Sequence, residues 1–222
     1  MPRSPRLVLL TALNTLGPLL LMGLAWGSLP GFFADPVRAL AALLYVLPTP
    51  VVMLFTTGFA AHAHARAARE GPGFLAAANL AANLGFLLAI FLDARGIARL
   101  PGGEPLRWAG LAVLVAGTAL RVATMLALGR FFSLRVSVED DHRLITTGLY
   151  ARVRHPSYLS VIVLCVGIAG AFRSGAWLAL IPFMVYGLVR RMGTEERFLV
   201  EHFGDEYRAY MARTARLLPG LY

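Results

Sequence analysis

Long apolar runs, set apart by short clusters of arginine, constrain this chain more than any other feature. The runs are Leu7 to Leu29, Val37 to Ala61, Phe74 to Leu92, Leu106 to Leu128, Tyr158 to Phe172 and Ala176 to Val189. A helix needs about 20 apolar residues to cross a bilayer, and the first four runs reach that length. Of the 222 residues 58% are hydrophobic and 15% charged, where a soluble domain carries about 25% charge. That balance excludes a disordered chain, a secreted disulfide scaffold and an ordinary soluble enzyme. The single cysteine, Cys165, can form neither an internal bridge nor a thiolate metal cluster.

The first run is longer than the roughly 7–15 residues of a signal-peptide core, so it reads as a retained span. Pro18 should kink it, and Pro48 and Pro50 should break or bend the second run. In the third, Asn79 and Asn83 stand one helical turn apart beside alanines and Gly85, a face suited to close helix packing with amide hydrogen bonds. Arg121 lies inside the fourth, where a charge needs a partner or a watery cavity, and Gly129 ends it. The last two runs are short. Fifteen residues rise only about 22 Å against a core of about 30 Å. With Arg173, Ser174 and Gly175 as the turn, they read as a helical hairpin.

All 21 basic residues are arginine, and the net charge is +9. The arginines sit between apolar runs rather than along one soluble face, which argues against nucleic acid as a partner. Cytoplasmic loops of membrane proteins carry the excess of arginine. With six spans and a cytoplasmic N-terminus, 15 arginines fall inside and 5 outside, with Arg121 in a span. The fold expected is therefore an all-α, polytopic integral membrane bundle of about six spans, the last two a short hairpin, followed by a cytoplasmic C-terminal helix. Residues 1–128 would form the N-terminal spans and residues 129–222 the working region of one integrated domain. Both termini and the working region would face the cytosol.

That region is where polar residues concentrate. Residues 130–156 hold Arg130, Arg135, Glu139, Asp140, Asp141, His142, Arg143, Arg152, Arg154 and His155, too long a polar loop to be a mere connection. The hairpin returns the chain to Arg190, Arg191, Glu195 and Glu196, so the two stretches meet at one membrane face. Beyond them Glu195, Phe198, Leu199, His202 and Phe203 recur at helical spacing, as in an amphipathic cytoplasmic helix. Pro156 forbids a helix through His155 and starts one after it. The first turn of that helix offers free N–H groups to a carboxylate. Glu195 and Glu196 can accept hydrogen bonds from an ammonium group. Arg191 and Glu195, four apart, share a helix face. Such a site can hold a zwitterion of the amino-acid kind. His62 and His64 lack carboxylate neighbours, so no metal site is expected.

Two stretches carry a resemblance. Leu144-Ile-Thr-Thr-Gly148-Leu-Tyr150-Ala-Arg-Val-Arg154-His155-Pro156-Ser157-Tyr158 resembles the signature of the isoprenylcysteine carboxyl methyltransferase family. The tail from Glu195 through Phe203-Gly204, Tyr207 and Tyr210 to Leu218-Pro219-Gly220 is similar to that family's second motif. The resemblance covers about residues 125–222. It implies an integral membrane methyltransferase using S-adenosylmethionine. It implies that His142, Arg143, Leu144, Ile145 and Tyr150 line this cofactor. It also implies that His155, Pro156, Ser157, Tyr158 and Glu195 contact it, and that Arg191 orients the substrate. Arg135 stands where some members have glutamine.

Transfer would be a direct displacement from the sulfonium, governed by positioning and charge. A carboxylate acceptor would need no base; an amine or thiol would need one, for which Glu196 or His155 would serve. A membrane-embedded site implies a lipophilic or lipid-linked acceptor entering from the surrounding lipids. Two other classes compete. A membrane sterol-type reductase using NADPH shares an Arg-His motif and a similar tail, but would need a site for the extra phosphate. A transporter would be expected to show internal repeats and midplane polar sites, whereas this chain shows no internal repeat and concentrates its polar residues at one end. The arginine-only basic set hints at a GC-rich coding background, and so at a bacterial plasma membrane.

Overall fold

The computed structural model describes residues 17–46, 66–67, 72–129, 137–138 and 144–220. Its helices are α1 (Gly17–Trp26), α2 (Leu29–Phe33), α3 (Pro36–Val46), α4 (Pro72–Ala94), α5 (Gly103–Leu128), α6 (Pro156–Ala171), α7 (Gly175–Phe203) and α8 (Asp205–Arg213), with a 3₁₀ turn at Gly148–Ala151 before α6. Among the described residues the helical expectation is amended by a two-residue antiparallel ladder, β1 (Arg66–Ala67) on β2 (Ser137–Val138), with Arg66 opposite Val138. Pro48, Pro50, His62, His64, Arg135, Asp140, Asp141, His142 and Arg143 lie outside the described residues.

Among the described residues one helix, α5, is long and apolar enough to cross a membrane. It starts deep in the chain, and only 28% of its apolar window is buried. A core helix of a soluble protein would be mostly buried, so the exposed apolar surface of α5 suits contact with lipid. Leu24, Leu126 and Phe183 stand 63–75% exposed, extending that apolar exterior over three helices. The first run does not form one continuous helix to Leu29. It stops at Trp26, where Gly27 adopts a left-handed conformation and Ser28 caps α2.

In lipid, apolar exteriors gain little by meeting, so helices associate through close packing of small residues. The antiparallel pair α5 and α6 does this. Gly110 lies against the main chain of Gly170 and Ala171, and Gly167 against Leu114, where an added Cβ would meet the Leu114 nitrogen at 2.6 Å. Gly117 faces Leu164 in the same way. Beside this pair, Phe32, Phe86, Phe172 and Trp177 form a buried aromatic cluster. Trp177 rests against Gly85 of α4 and donates its indole N–H to the Cys165 carbonyl. Asn83 also acts across helices, accepting a hydrogen bond from the Tyr45 hydroxyl of α3 at 3.1 Å.

The hairpin forms between α6 and α7, with Ser174 capping α7 through the Trp177 N–H. Its second arm is not short. The helix does not stop at Val189 but continues to Phe203, 29 residues in all, with Pro182 inside. The expected separate tail helix is thus the extension of the hairpin. The change at Arg190 is one of polarity, not of helix propensity, and Arg, Met and Glu continue a helix well. Gly204, in a left-handed conformation, ends it and opens α8.

Charged residues gather at the two ends of this bundle. At one end Arg107, 7% exposed, pairs through both terminal nitrogens with Asp35 and through one with Glu104. Its Nε reaches the Ala171 carbonyl. Arg99 pairs with Asp93, and Arg173 donates to the Leu100 carbonyl. At the other end lie the last turns of α5, the start of α6 and the middle of α7.

Candidate active site

The site is built on the corner before α6. Pro156 occupies the first helical position and His155 is the N-cap. The His155 carbonyl accepts the Tyr158 and Leu159 N–H groups. Among the described residues the Ser157 N–H has no carbonyl partner, so it is the donor this helix start presents. Arg121, the charge inside α5, arrives here and donates to Ser157 Oγ at 2.5 Å. No local pattern names a partner for Arg121; in the fold it tethers α5 to the first turn of α6.

The middle of α7 supplies the opposite wall. Tyr158 Oη donates to Glu195 Oε2 at 2.7 Å and accepts from Arg191 Nε at 2.8 Å. The spacing of four that places Arg191 and Glu195 on one face thus closes on a single hydroxyl. Tyr150, in the 3₁₀ turn, is 7% exposed. Burial, with Glu195 near, holds its hydroxyl above the ordinary tyrosine range. Leu144 and Ile145 are half-buried just before that turn.

Glu196 points elsewhere. It is 6% exposed. Its Oε1 accepts from Arg154 Nε at 3.1 Å and lies 3.3 Å from His155 Nε2. Arg216 Nε donates to both oxygens, at 3.1 and 3.0 Å, and Arg216 Nη2 adds a further bond to Oε2. Burial alone would raise the carboxyl, but the bonds from His155, Arg216 and Arg154 outweigh it and hold it at about 2. The candidate base of the sequence is thus engaged on both oxygens by three side chains. His155, 4% exposed and tied to the same carboxylate, is held in place with it.

A strap from the C-terminus completes the corner. Ala215 donates its N–H to Arg152 O and accepts from Arg154 N, while His155 N donates to Arg216 O. Arg154 Nη1 also bonds the Met211 and Thr214 carbonyls. Helix α8 packs beneath through buried Tyr207 and Tyr210, and Tyr210 donates to the Tyr150 carbonyl at 2.7 Å. Burial lifts the Tyr210 hydroxyl to about 12. In the sequence Arg216 reads only as a topogenic charge. Its one signal was its place just before the Leu218-Pro219-Gly220 motif.

Residues 109–201 match the model of the isoprenylcysteine carboxyl methyltransferase (ICMT) family, a stretch that holds Arg121, Tyr150, the His155–Tyr158 corner, Arg191, Glu195 and Glu196. This region is similar to the ICMT family. The protein-S-isoprenylcysteine O-methyltransferase of Schizosaccharomyces pombe is 35% identical over 114 residues, covering 49% of this chain and 48% of that protein. The Mus musculus enzyme of the same name is 34% identical over 113 residues, or 50% and 40% of the two chains. Arabidopsis thaliana protein-S-isoprenylcysteine O-methyltransferase A is 28% identical over 142 residues, or 61% and 72%. The first of these alignments thus spans about half of the relative. Among solved structures, the eukaryotic intramembrane Ras methyltransferase ICMT superposes with a TM-score of 0.65 at 19% identity, covering 97% of this chain and 77% of that one. The fold is therefore that of ICMT well beyond the matched segment. Thr214 to Arg216 of the strap lie outside the segment that matches the ICMT model.

Proposed function

We propose that this chain is an integral membrane methyltransferase that uses S-adenosylmethionine and methylates a lipophilic acceptor, with a carboxylate as the favoured acceptor group. The observation that carries the reading is the Arg191–Tyr158–Glu195 chain beside the start of α6, inside the ICMT-matched region.

The donor set suits that cofactor. The Ser157 N–H, without a carbonyl partner among the described residues, complements a carboxylate at a helix N-terminus. Glu195, with one oxygen engaged by Tyr158, has its other oxygen for an ammonium group. Tyr150 and the half-buried Leu144 and Ile145 supply an apolar wall, and His142 and Arg143 are assigned to the same lining. Bound, S-adenosylmethionine supplies a methyl group on a sulfonium that leaves as a neutral thioether.

The chain's own residues position and exclude. Arg191 directs its charge to the α6 end and orients an anionic acceptor group, with Tyr158 fixing its Nε. His155, Pro156 and Ser157 shape the corner. Glu196 and Arg154 hold that corner rather than move a proton. With Glu196 fully occupied, an acceptor that needs no base fits best, and a carboxylate is one. The names of the relatives describe O-methylation of isoprenylcysteine; here the same chemistry is proposed for a lipid-borne carboxylate. We place the site on the cytoplasmic face, with both termini, from the arginine asymmetry. The location in a bacterial plasma membrane rests on the lysine-free composition alone, since the relatives named above are eukaryotic.

The test is calorimetric titration of detergent-purified protein with S-adenosylhomocysteine, beside Glu195→Gln and Ser157→Pro. Saturable binding that weakens in both variants supports the reading. Binding of NADPH in its place would overturn it in favour of a reductase. A labelled-methyl screen of lipophilic carboxylates, amines and thiols then identifies the acceptor class.

A further inference from the structure

We infer that Arg216 is a positioning residue of the methyl-transfer site: through Glu196 it sets the Arg154-His155-Pro156 corner, and the C-terminal strap is thereby part of the site. The inference rests on the donor site proposed above and adds a component outside the ICMT-matched segment.

The corner cannot shape itself. Pro156 excludes a helical His155, and the His155 side chain makes no capping bond to α6. Its conformation is imposed from outside, by two sources. The first is the main chain of the strap. Residues 152–155 and 215–216 exchange three backbone hydrogen bonds of 2.8–3.0 Å, with Val153 beside Ala215 in a parallel bridge. The second is the ionic hub. Glu196 brings together the side chains of Arg154, His155 and Arg216, which come from two separate stretches of chain. A buried carboxylate among cations is held only while its partners stay, so the three donors constrain one another through it. Glu196 is also the immediate neighbour of Glu195, and both sit on α7. Moving the hub therefore shifts Glu195 against Tyr158 and the α6 N-terminus, the two elements assigned to the donor.

The two sources can be separated. Arg216→Ala removes the guanidinium and leaves the backbone ladder, with Arg154 and His155 still on Glu196. The main-chain strap then maintains the fold while the corner loses one of its constraints.

The experiment is titration of the full-length, detergent-purified wild type, Arg216→Ala and Arg216→Lys with S-adenosylhomocysteine, with thermal unfolding and acceptor KM measured on each. The expected result is affinity lowered about tenfold in Arg216→Ala, the scale of one lost charge-assisted hydrogen bond, and partly restored in Arg216→Lys. Acceptor KM should change less than about twofold, because Arg191 is untouched. A lower unfolding temperature with unchanged affinity overturns the positioning role. No binding by folded wild type overturns the donor assignment, and this inference with it. Should Arg216→Ala fail to fold, hydrogen exchange on the wild type decides. Ligand at the corner must then slow exchange of the Ala215, Arg154 and His155 amides, by the reciprocity of linked equilibria. Unchanged exchange at saturating ligand overturns the proposal.

Discussion

Tyr158 and Glu195 lie on different arms of the hairpin, 37 residues apart, and the Tyr158 hydroxyl donates to Glu195 Oε2 across 2.7 Å. The Tyr158 hydroxyl oxygen also accepts from Arg191 Nε, so one phenol orients both an anion and a cation. Tyr158→Phe removes that oxygen and keeps the ring that stands edge-on to His155. Hydrogen bonds to charged groups are worth about 1.5–3 kcal/mol, so kcat/KM for methyl transfer should fall about tenfold to a hundredfold. The thermal midpoint should hardly move. A labelled-methyl assay beside thermal unfolding checks both; full activity in the variant would refute the role.

Glu196 sets an acid limit on stability. Its ordinary value is 4.5 and its folded value about 2. A carboxyl lowered in the folded state contributes fully above its unfolded value, and that contribution is lost as pH falls through the folded one. Wild-type stability should therefore fall from about pH 5 toward pH 2, with about 3 kcal/mol at stake from this group. Glu196→Gln should be less stable than wild type at neutral pH, and the difference should close toward pH 2. Denaturant midpoints taken across that range test it, and a constant difference would refute it.

The contact of α5 with α6 is main chain on main chain. A Cβ at Gly167 would meet the Leu114 nitrogen at 2.6 Å, and Gly110 offers no more room against Gly170 and Ala171. Gly167→Ala must push the helices apart, at a cost of about 1–3 kcal/mol or more. Gly187→Ala, where nothing lies within 4 Å, is the control. Retention of the monodisperse detergent-solubilised fraction on heating distinguishes the two.

Arg107 and Asp35 close the end of the bundle remote from the site. The pair is bidentate, with the Arg107 side chain 9% exposed. Asp35→Asn leaves a buried guanidinium short of its partner and should cost about 3–5 kcal/mol. Activity per folded molecule should stay within about twofold, because Arg107 and the Tyr158–Glu195 contact lie at opposite ends. A selective loss of activity in folded protein would connect the two ends and contradict that expectation.

Much of this molecule is legible before it folds. The apolar runs specify helices because only helices satisfy their own main chain in lipid. Pro156 starts α6 and Gly129 ends α5 through local backbone chemistry alone. Arg191 and Glu195 share a face because four residues are about one turn. The spacing of the two motifs around a short turn brought Tyr158 and Glu195 to one place. What tertiary structure decided is which partner each charge takes. Glu195 and Glu196 are adjacent and chemically identical, yet one faces Tyr158 and the other Arg154, His155 and Arg216. Neighbouring residues on a helix point about 100° apart, and only the packed surroundings assign a role to each direction. Arg121 finds Ser157, and Arg216 finds Glu196, through contacts 36 and 20 residues apart that no local pattern encodes. The continuation of α7 past Val189 reflects the same division: polarity changes at Arg190, but hydrogen bonding along a helix is indifferent to whether lipid or water lies outside it.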